Sequence, residues 1–185
     1  MIMRQDDGWF ACWTRSRAEK RVKQWMDRHG MEAFLPIIER ERQWADRKKR
    51  VQFPLFPGYL FVRVPWSRVP ELVRMPSVVT VVGTNGVPCV IRDREIESVK
   101  TLVDGIGRTG ILPSPADFLE DGDRVRVVEG PFAGLEGILL ESAGQPRVIV
   151  QLTAIRQAVR IQLERSLLRP APARKSWEED DACEY

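Results

Sequence analysis

The sequence predicts an α+β chain in two parts: an α/β sandwich with a largely antiparallel sheet, then a small β-barrel. Three observations predict it. Residues 8–104 mix strand-like alternation with helical apolar stripes, residues 105–121 are rich in glycine and proline without periodicity, and residues 122–170 hold short β-like runs between turn signals. With 185 residues and 43% hydrophobic content, the chain can bury two small cores.

Trp9 to Thr14 alternates between two faces, as a first strand does. Ser16 and Glu19 then show the S-x-x-E spacing of a helix capping box, Ala18, Val22, Trp25 and Met26 make one apolar stripe, and Gly30 supplies a stop. Met31 to Pro36 reads as a second strand. Ile37 to Trp44 and Lys49 to Phe56 read as a hairpin with the polar tip Ala45-Asp46-Arg47-Lys48. Tyr59 to Val64 is a further strand, Arg68 to Met75 a short helix with Pro70 in its first turn, and Val78 to Val82 a β-branched strand ended by Gly83-Thr84-Asn85-Gly86. Asp93 can cap a last helix carrying Ile96, Val99 and Val103, with Gly105 at its end.

The segment 105–121 reads as a linker. Beyond it, Arg124 to Val128, Leu135 to Glu141, Arg147 to Thr153 and Ala158 to Leu163 are strands of a small barrel. Leu152, Ile155, Val159 and Leu163 also share a helical face. A helical form is disfavoured because Gly130, Gly134 and Gly137 would each cost a helix about 1 kcal/mol, and an interior Pro131 about 3. Residues 171–185, with Glu178, Glu179, Asp180 and Asp181, read as a disordered acidic tail.

Composition excludes several function classes. No apolar run approaches the roughly 20 residues that span a bilayer, and the N-terminus carries no signal-like apolar stretch, so a cytoplasmic protein is expected. Cys12, Cys89 and Cys183 are distant from one another and suggest neither a disulfide framework nor a metal site; Cys12 and Cys89 read as small buried hydrophobes. His29 is the only histidine and suits a helix end. There is no phosphate-binding loop, dinucleotide fingerprint or nucleophile elbow, so no enzyme activity, cofactor or metal is expected. Residues 1–104 hold 19 basic against 13 acidic side chains, which suits either a nucleic-acid-facing surface or a solvated mixed-charge one.

Two motifs carry a resemblance. Gly122-Asp123-Arg124-Val125-Arg126-Val127-Val128-Glu129-Gly130-Pro131-Phe132-Ala133-Gly134-Leu135-Glu136-Gly137 resembles the KOW motif of small SH3-like barrels. Leu55-Phe56-Pro57-Gly58-Tyr59-Leu60-Phe61-Val62 resembles the signature of the NusG N-terminal domain, and Trp9-Phe10 and Met75-Pro76-Ser77-Val78 match the same family. The likeness spans about residues 8–170. It implies an N-terminal domain over 8–104 that sits on the clamp helices of the RNA polymerase largest subunit, bridges the DNA cleft and suppresses pausing. A KOW domain over 122–170 would recruit further factors, such as termination factor Rho or a ribosomal small-subunit protein.

By motif position, Phe56, Tyr59 and Phe61, with Trp13 on the neighbouring strand, would line the polymerase-binding depression. By structure alone, an aromatic-Pro-Gly-aromatic stretch is more often a turn closing a core than a binding patch; the resemblance reverses that reading. Arg15, Arg17 and Arg74 would face non-template or upstream DNA, with Arg47, Lys48, Lys49 and Arg50 at the hairpin end approaching nucleic acid or polymerase. Phe132, Ile155 and Arg156 would form the KOW partner surface. The chain departs from the housekeeping form at Thr14 to Lys20, where a Ser-Gly-Tyr-Glu-like turn is usual, and at Thr153-Ala154-Ile155-Arg156, where Phe-Gly-Arg is frequent. The first departure resembles specialised RfaH-like antiterminators; the second, which lacks the phenylalanine used for partner contact, counts against ribosome or Rho coupling. A monomeric factor without membrane association is implied; a KOW-containing ribosomal or RNA-binding protein is the alternative.

Overall fold

The computed structural model describes residues 7–43, 48–119, 122–142 and 144–171. Strand β1 (Asp7–Thr14) is the centre of the first sheet. Helix α1 (Glu19–Arg28), β2 (Glu32–Phe34), the hairpin β3 (Ile37–Gln43) and β4 (Lys48–Pro54), and β5 (Tyr59–Pro65) follow. Then come a 3-10 turn (Trp66–Arg68), α2 (Val69–Val73), β6 (Val78–Val81), the short strands β7 (Gly83–Thr84), β8 (Val87–Pro88) and β9 (Val90–Ile91), and α3 (Asp93–Thr109). The sheet order is β2-β5-β1-β6, with β9 also paired to β1, and every pairing is antiparallel.

Alternation along β1 and β5 divides the apolar residues between two faces. Phe10, Cys12, Leu60, Val62 and Val64 meet α1 through Val22 and Met26 and α2 through Val69 and Leu72. Trp9, Ala11 and Phe61 point the other way, into a cluster with Ile96, Val99, Leu102 and Ile106 of α3. The N-terminal half is thus a sheet with helices on both faces. Burial on both sides explains why its strands hold long apolar runs.

The second sheet holds β10 (Ser114–Ala116), β11 (Arg124–Val127), β12 (Glu136–Ser142), β13 (Gln145–Leu152), β14 (Gln157–Gln162) and β15 (Leu168–Pro170). Its order is β10-β14-β13-β12-β11-β15. The strand expectation for 125–165 holds. Gly130 and Gly134 take φ of 83° and 90° in the turn before β12, and a Cβ on Gly137 would lie 2.4 Å from the Ile149 carbonyl oxygen. These glycines make the turn and the β12–β13 approach feasible.

Several expectations change. The Ser16–Glu19 capping box does not form: α1 has Ala18 at its N-cap position with no side-chain cap bond, and the Glu19 carboxylate serves the Gly58 turn instead. The last helix does not stop at Gly105. It runs to Thr109 and closes at Gly110, whose φ is 71°. Gly105 is inside the helix because its face receives a ring: a Cβ there would lie 2.2 Å from the Phe132 side chain. The expected linker is therefore partly helix and partly β10, which pairs with β14. Ala171, expected in the tail, donates its N–H to the Arg124 carbonyl at 2.9 Å. Residues 172–185 and positions 44–47 of the hairpin, Arg47 included, lie outside the described residues, whereas Lys48 opens β4.

The two sheets share one apolar cluster. Phe132, 3% exposed, is continuous with Ile106 and Leu102 of α3, while the Thr153 hydroxyl donates to Glu95 at 2.6 Å. Cys12 is a free, buried thiol, and burial pushes its pKa up to about 12. Cys89 is equally buried but disulfide-bonded, contrary to its reading as a simple small hydrophobe. No described helix is long and apolar enough to cross a membrane.

Candidate functional site

The F-P-G-Y turn becomes a fixed corner through backbone bonds. Thr14 donates both its N–H, at 2.8 Å, and its hydroxyl, at 3.2 Å, to the Gly58 carbonyl. Gly58 in turn donates its N–H to the Glu19 carboxylate at 2.9 Å. The corner therefore ties β1, the start of α1 and the start of β5 together. With φ at 85°, Gly58 adopts the left-handed conformation that this reversal needs, close against the Trp13 indole.

The register then decides which rings emerge. Trp13 pairs with Tyr59 on one side and Thr80 on the other, so all three share a face of the sheet at its uncovered end. Trp13 is 47% exposed and Tyr59 is half-buried. Phe56 and Phe61 share the motif but not the surface. They are 1% and 0% exposed and pack edge to face with centroids 6.3 Å apart, under α3. The expected four-ring depression is corrected to Trp13 and Tyr59 over a buried base: Phe61 lies on the same face as Tyr59 but further along β5, where the cluster with α3 covers it, and Phe56 packs against it.

Cationic side chains surround this corner. Arg15 and Arg17 follow β1, and Arg74 precedes β6; all three are exposed. Ser77 joins the two loops, accepting the Arg15 N–H at its carbonyl, at 2.9 Å, and an Arg21 guanidinium bond at its hydroxyl, at 2.6 Å. Arg17 has φ 60°, a left-handed conformation unusual for a residue other than glycine. Lys48, Lys49 and Arg50 are exposed on β4, and Arg50 lies 4.0 Å from Glu41 across the hairpin.

Of the expected partner surface on the second sheet, only Arg156 is exposed, its guanidinium 5.0 Å from the Phe118 ring centroid. Phe132 and Ile155 are buried. Glu19, Ser77 and Gly105 were missed as positioning residues. Glu19 was visible but looked like a cap, Gly105 looked like a helix end and Ser77 was marked only as part of a family match, because their contacts come from far along the chain. No group of acidic, histidine or cysteine side chains that could hold a metal occurs among the described residues.

The sequence model of the family described as Transcription termination factor nusG matches residues 7–100. The chain belongs to the NusG family. Among its relatives, the Transcription termination/antitermination protein NusG of Pseudomonas aeruginosa is 27% identical over 139 residues, covering 72% of this chain and 76% of that protein. That of Vibrio vulnificus is 27% identical over 159 residues, covering 80% and 85%. A structure titled Domain interaction in Thermotoga maritima NusG aligns with 90% of this chain and 98% of its own, at 23% identity and a TM-score of 0.47. The matched segment holds β1, the Gly58 turn and the Arg74–Ser77 loop, which together make the corner.

Proposed function

We propose that this NusG-family chain is a non-enzymatic transcription elongation and antitermination factor that docks on the RNA polymerase clamp helices through Trp13 and Tyr59. The observation that carries this reading is the exposure of Trp13 beside a turn locked by Thr14 and Glu19. A large ring that stays outside while Phe56 and Phe61 go inside has no packing role equal to theirs. Rigid aromatics of this kind contribute much contact area at low entropic cost and often dominate an interface.

Arg15, Arg17 and Arg74 would meet the phosphates of non-template or upstream DNA, with Lys48, Lys49 and Arg50 on the hairpin reaching nucleic acid or polymerase. The sheet corner on which the clamp helices would rest carries Trp13 and Tyr59 beside these cations. Residues 8–104 would form the polymerase-binding unit and 122–170 a KOW barrel. Recruitment of Rho or a ribosomal small-subunit protein through Phe132 and Ile155 would require the second sheet to leave α3; Arg156 is already accessible. The departure at Thr14 to Lys20 supports a specialised antiterminator, acting in the cytoplasm as a monomer, whereas the one at Thr153 to Arg156 counts against Rho or ribosome coupling. Family membership disfavours the ribosomal alternative.

Reconstituted elongation complexes test this reading. Trp13→Ala should keep its melting temperature and lose about 2 kcal/mol of polymerase affinity, roughly thirtyfold, with a matching loss of pause suppression. A folded Trp13→Ala protein that binds polymerase and suppresses pausing like the wild type would remove the site.

A further inference from the structure

A cleft of about 610 Å³ lies where the N-terminal half meets the second sheet, next to the Gly58 corner. Four segments of the chain supply its apolar surface. Hairpin β3–β4 gives Ile38 and Phe53, which the register sets opposite each other; Leu55 comes from the segment before the corner, Pro113 and Pro115 from the connector after α3, and Val159 from β14. Ile38, Leu55, Pro113 and Val159 are buried and Phe53 is half-buried, so the base and walls are carbon surface. The two prolines have no N–H, and their wall presents ring carbons where another connector would present donors. Between them, the Ser114 hydroxyl accepts the Arg160 guanidinium at 2.9 Å.

The charge of the cleft is positive. Arg17, Lys20 and Arg40 all line it and are exposed. Lys20 donates to the Gln52 side-chain carbonyl at 2.8 Å and Arg40 to the Pro113 carbonyl at 3.5 Å, neutral acceptors that leave both charges uncancelled. None of the three is paired with a carboxylate among the described residues. Glu19, the one carboxylate in the lining, is buried and accepts the Gly58 N–H. A concave, mostly apolar space of about 300–1,000 Å³ between two structural units, with a few charged groups beside it, is the usual form of a small-molecule site.

We propose that this cleft binds a small amphipathic carboxylate, its apolar body against Ile38, Leu55 and Val159 and its head at Arg40 and Lys20. The Arg40 guanidinium offers a planar fork of donors that matches one carboxylate, and Lys20 adds a point charge. A doubly charged phosphate would bring more charge out of water into this apolar space, at a larger desolvation cost. A nucleic-acid base is a poorer fit, because the walls offer carbon where its edges need hydrogen-bond partners. The body touches Ile38 and Leu55 of one half and Val159 of the other, so the ligand bridges the two. A molecule that binds only the packed arrangement stabilises that arrangement by mass action.

Amide NMR of the full chain, with decanoate as the probe, tests the site. At about 1 mM, enough to half-fill even a weak site, decanoate should shift the amides of Ile38, Leu55, Ser114 and Val159. Acetate, which is the head alone, and decylammonium, which is the same tail with the opposite charge, should leave them in place. Lys20→Glu with Arg40→Glu alters two exposed side chains and should keep the melting temperature, weaken decanoate at least tenfold and admit decylammonium. Hydrogen exchange along the β10–β14 edge should slow about elevenfold when decanoate stands at ten times its Kd. Unmoved cleft amides would overturn the proposal, as would equal shifts with decanoate and decylammonium. So would shifts centred on Trp13 and Tyr59, undiminished decanoate binding in a folded charge-reversed variant, or exchange that decanoate does not slow.

Discussion

At the Trp13 corner a glycine meets an indole, and at the α3 seam a glycine meets a phenyl ring, yet the two rings end on opposite sides of the surface. Gly58 is held by three polar bonds, from Thr14 twice and to Glu19 once. The ring beside it stays 47% exposed. Gly105 has no such polar clamp. Its missing side chain is the space that Phe132 fills, and that ring is 3% exposed. A polar network can hold a surface aromatic in place without burying it, whereas an apolar seam holds an aromatic only by consuming it. The first arrangement leaves a ring available to a partner; the second joins two halves of one chain.

The largest expected effect lies at the seam. Phe132→Ala should cost about 3–5 kcal/mol in urea denaturation, the usual range for a buried phenylalanine. Gly105→Ala sharpens the same point through its sign. In the wild type it should destabilise by about 1–3 kcal/mol through overpacking, but in the Phe132→Ala background it should stabilise by about 1, the ordinary helix preference for alanine over glycine. The same sign in both backgrounds would show that the ring does not occupy that space.

At the corner, Glu19→Ala should cost about 1–3 kcal/mol by stranding the Gly58 N–H. It should also lower polymerase affinity by loosening Trp13. A variant as stable as the wild type would mean that the carboxylate does not hold the turn. Arg17→Gly should be smaller and opposite in sign: relief of the left-handed conformation stabilises by about 1 kcal/mol, while DNA affinity and its salt dependence fall. Gain of stability without loss of DNA binding would leave the strain at Arg17 without a functional counterpart.

The smallest effect belongs to Cys12, behind the corner on the covered face of the sheet. Below pH 9 its thiol is neutral in both states. As pH rises from about 9 toward 12, the unfolded thiol ionises while the buried one does not, so its contribution to stability is present below 9 and is lost across that window. Cys12→Ala should therefore show a shallower alkaline loss of stability. Identical slopes in both proteins would rule out this linkage.

Much of the local architecture was legible because local chemistry dictates it. Alternation at Trp9 to Thr14, the stripe of α1, the β-branched run at Val78 and the glycines of the 130–137 turn each act within a few residues. The short β9 and β15 were not legible, since pairs of residues such as Val90–Ile91 become strands only when β1 or β11 offers them an edge. The candidate site was half legible. The motif placed Trp13 and Tyr59 together, but Phe56 and Phe61 carry the same composition and differ only in how far beneath the cluster with α3 they lie.

By itself the sequence determined the order of the longer helices and strands, the Gly58 reversal and the cationic loops beside it, because propensity, alternation and glycine conformation are properties of neighbours along the chain. Only the tertiary structure decided that Glu19 serves Gly58 rather than its own helix, that Gly105 lies within α3 rather than at its end, and that Trp13 stays out while Phe61 goes in. Each depends on an atom more than twenty residues away, so the deciding energy is a contact or a hydrogen bond that exists only once the sheets have assembled.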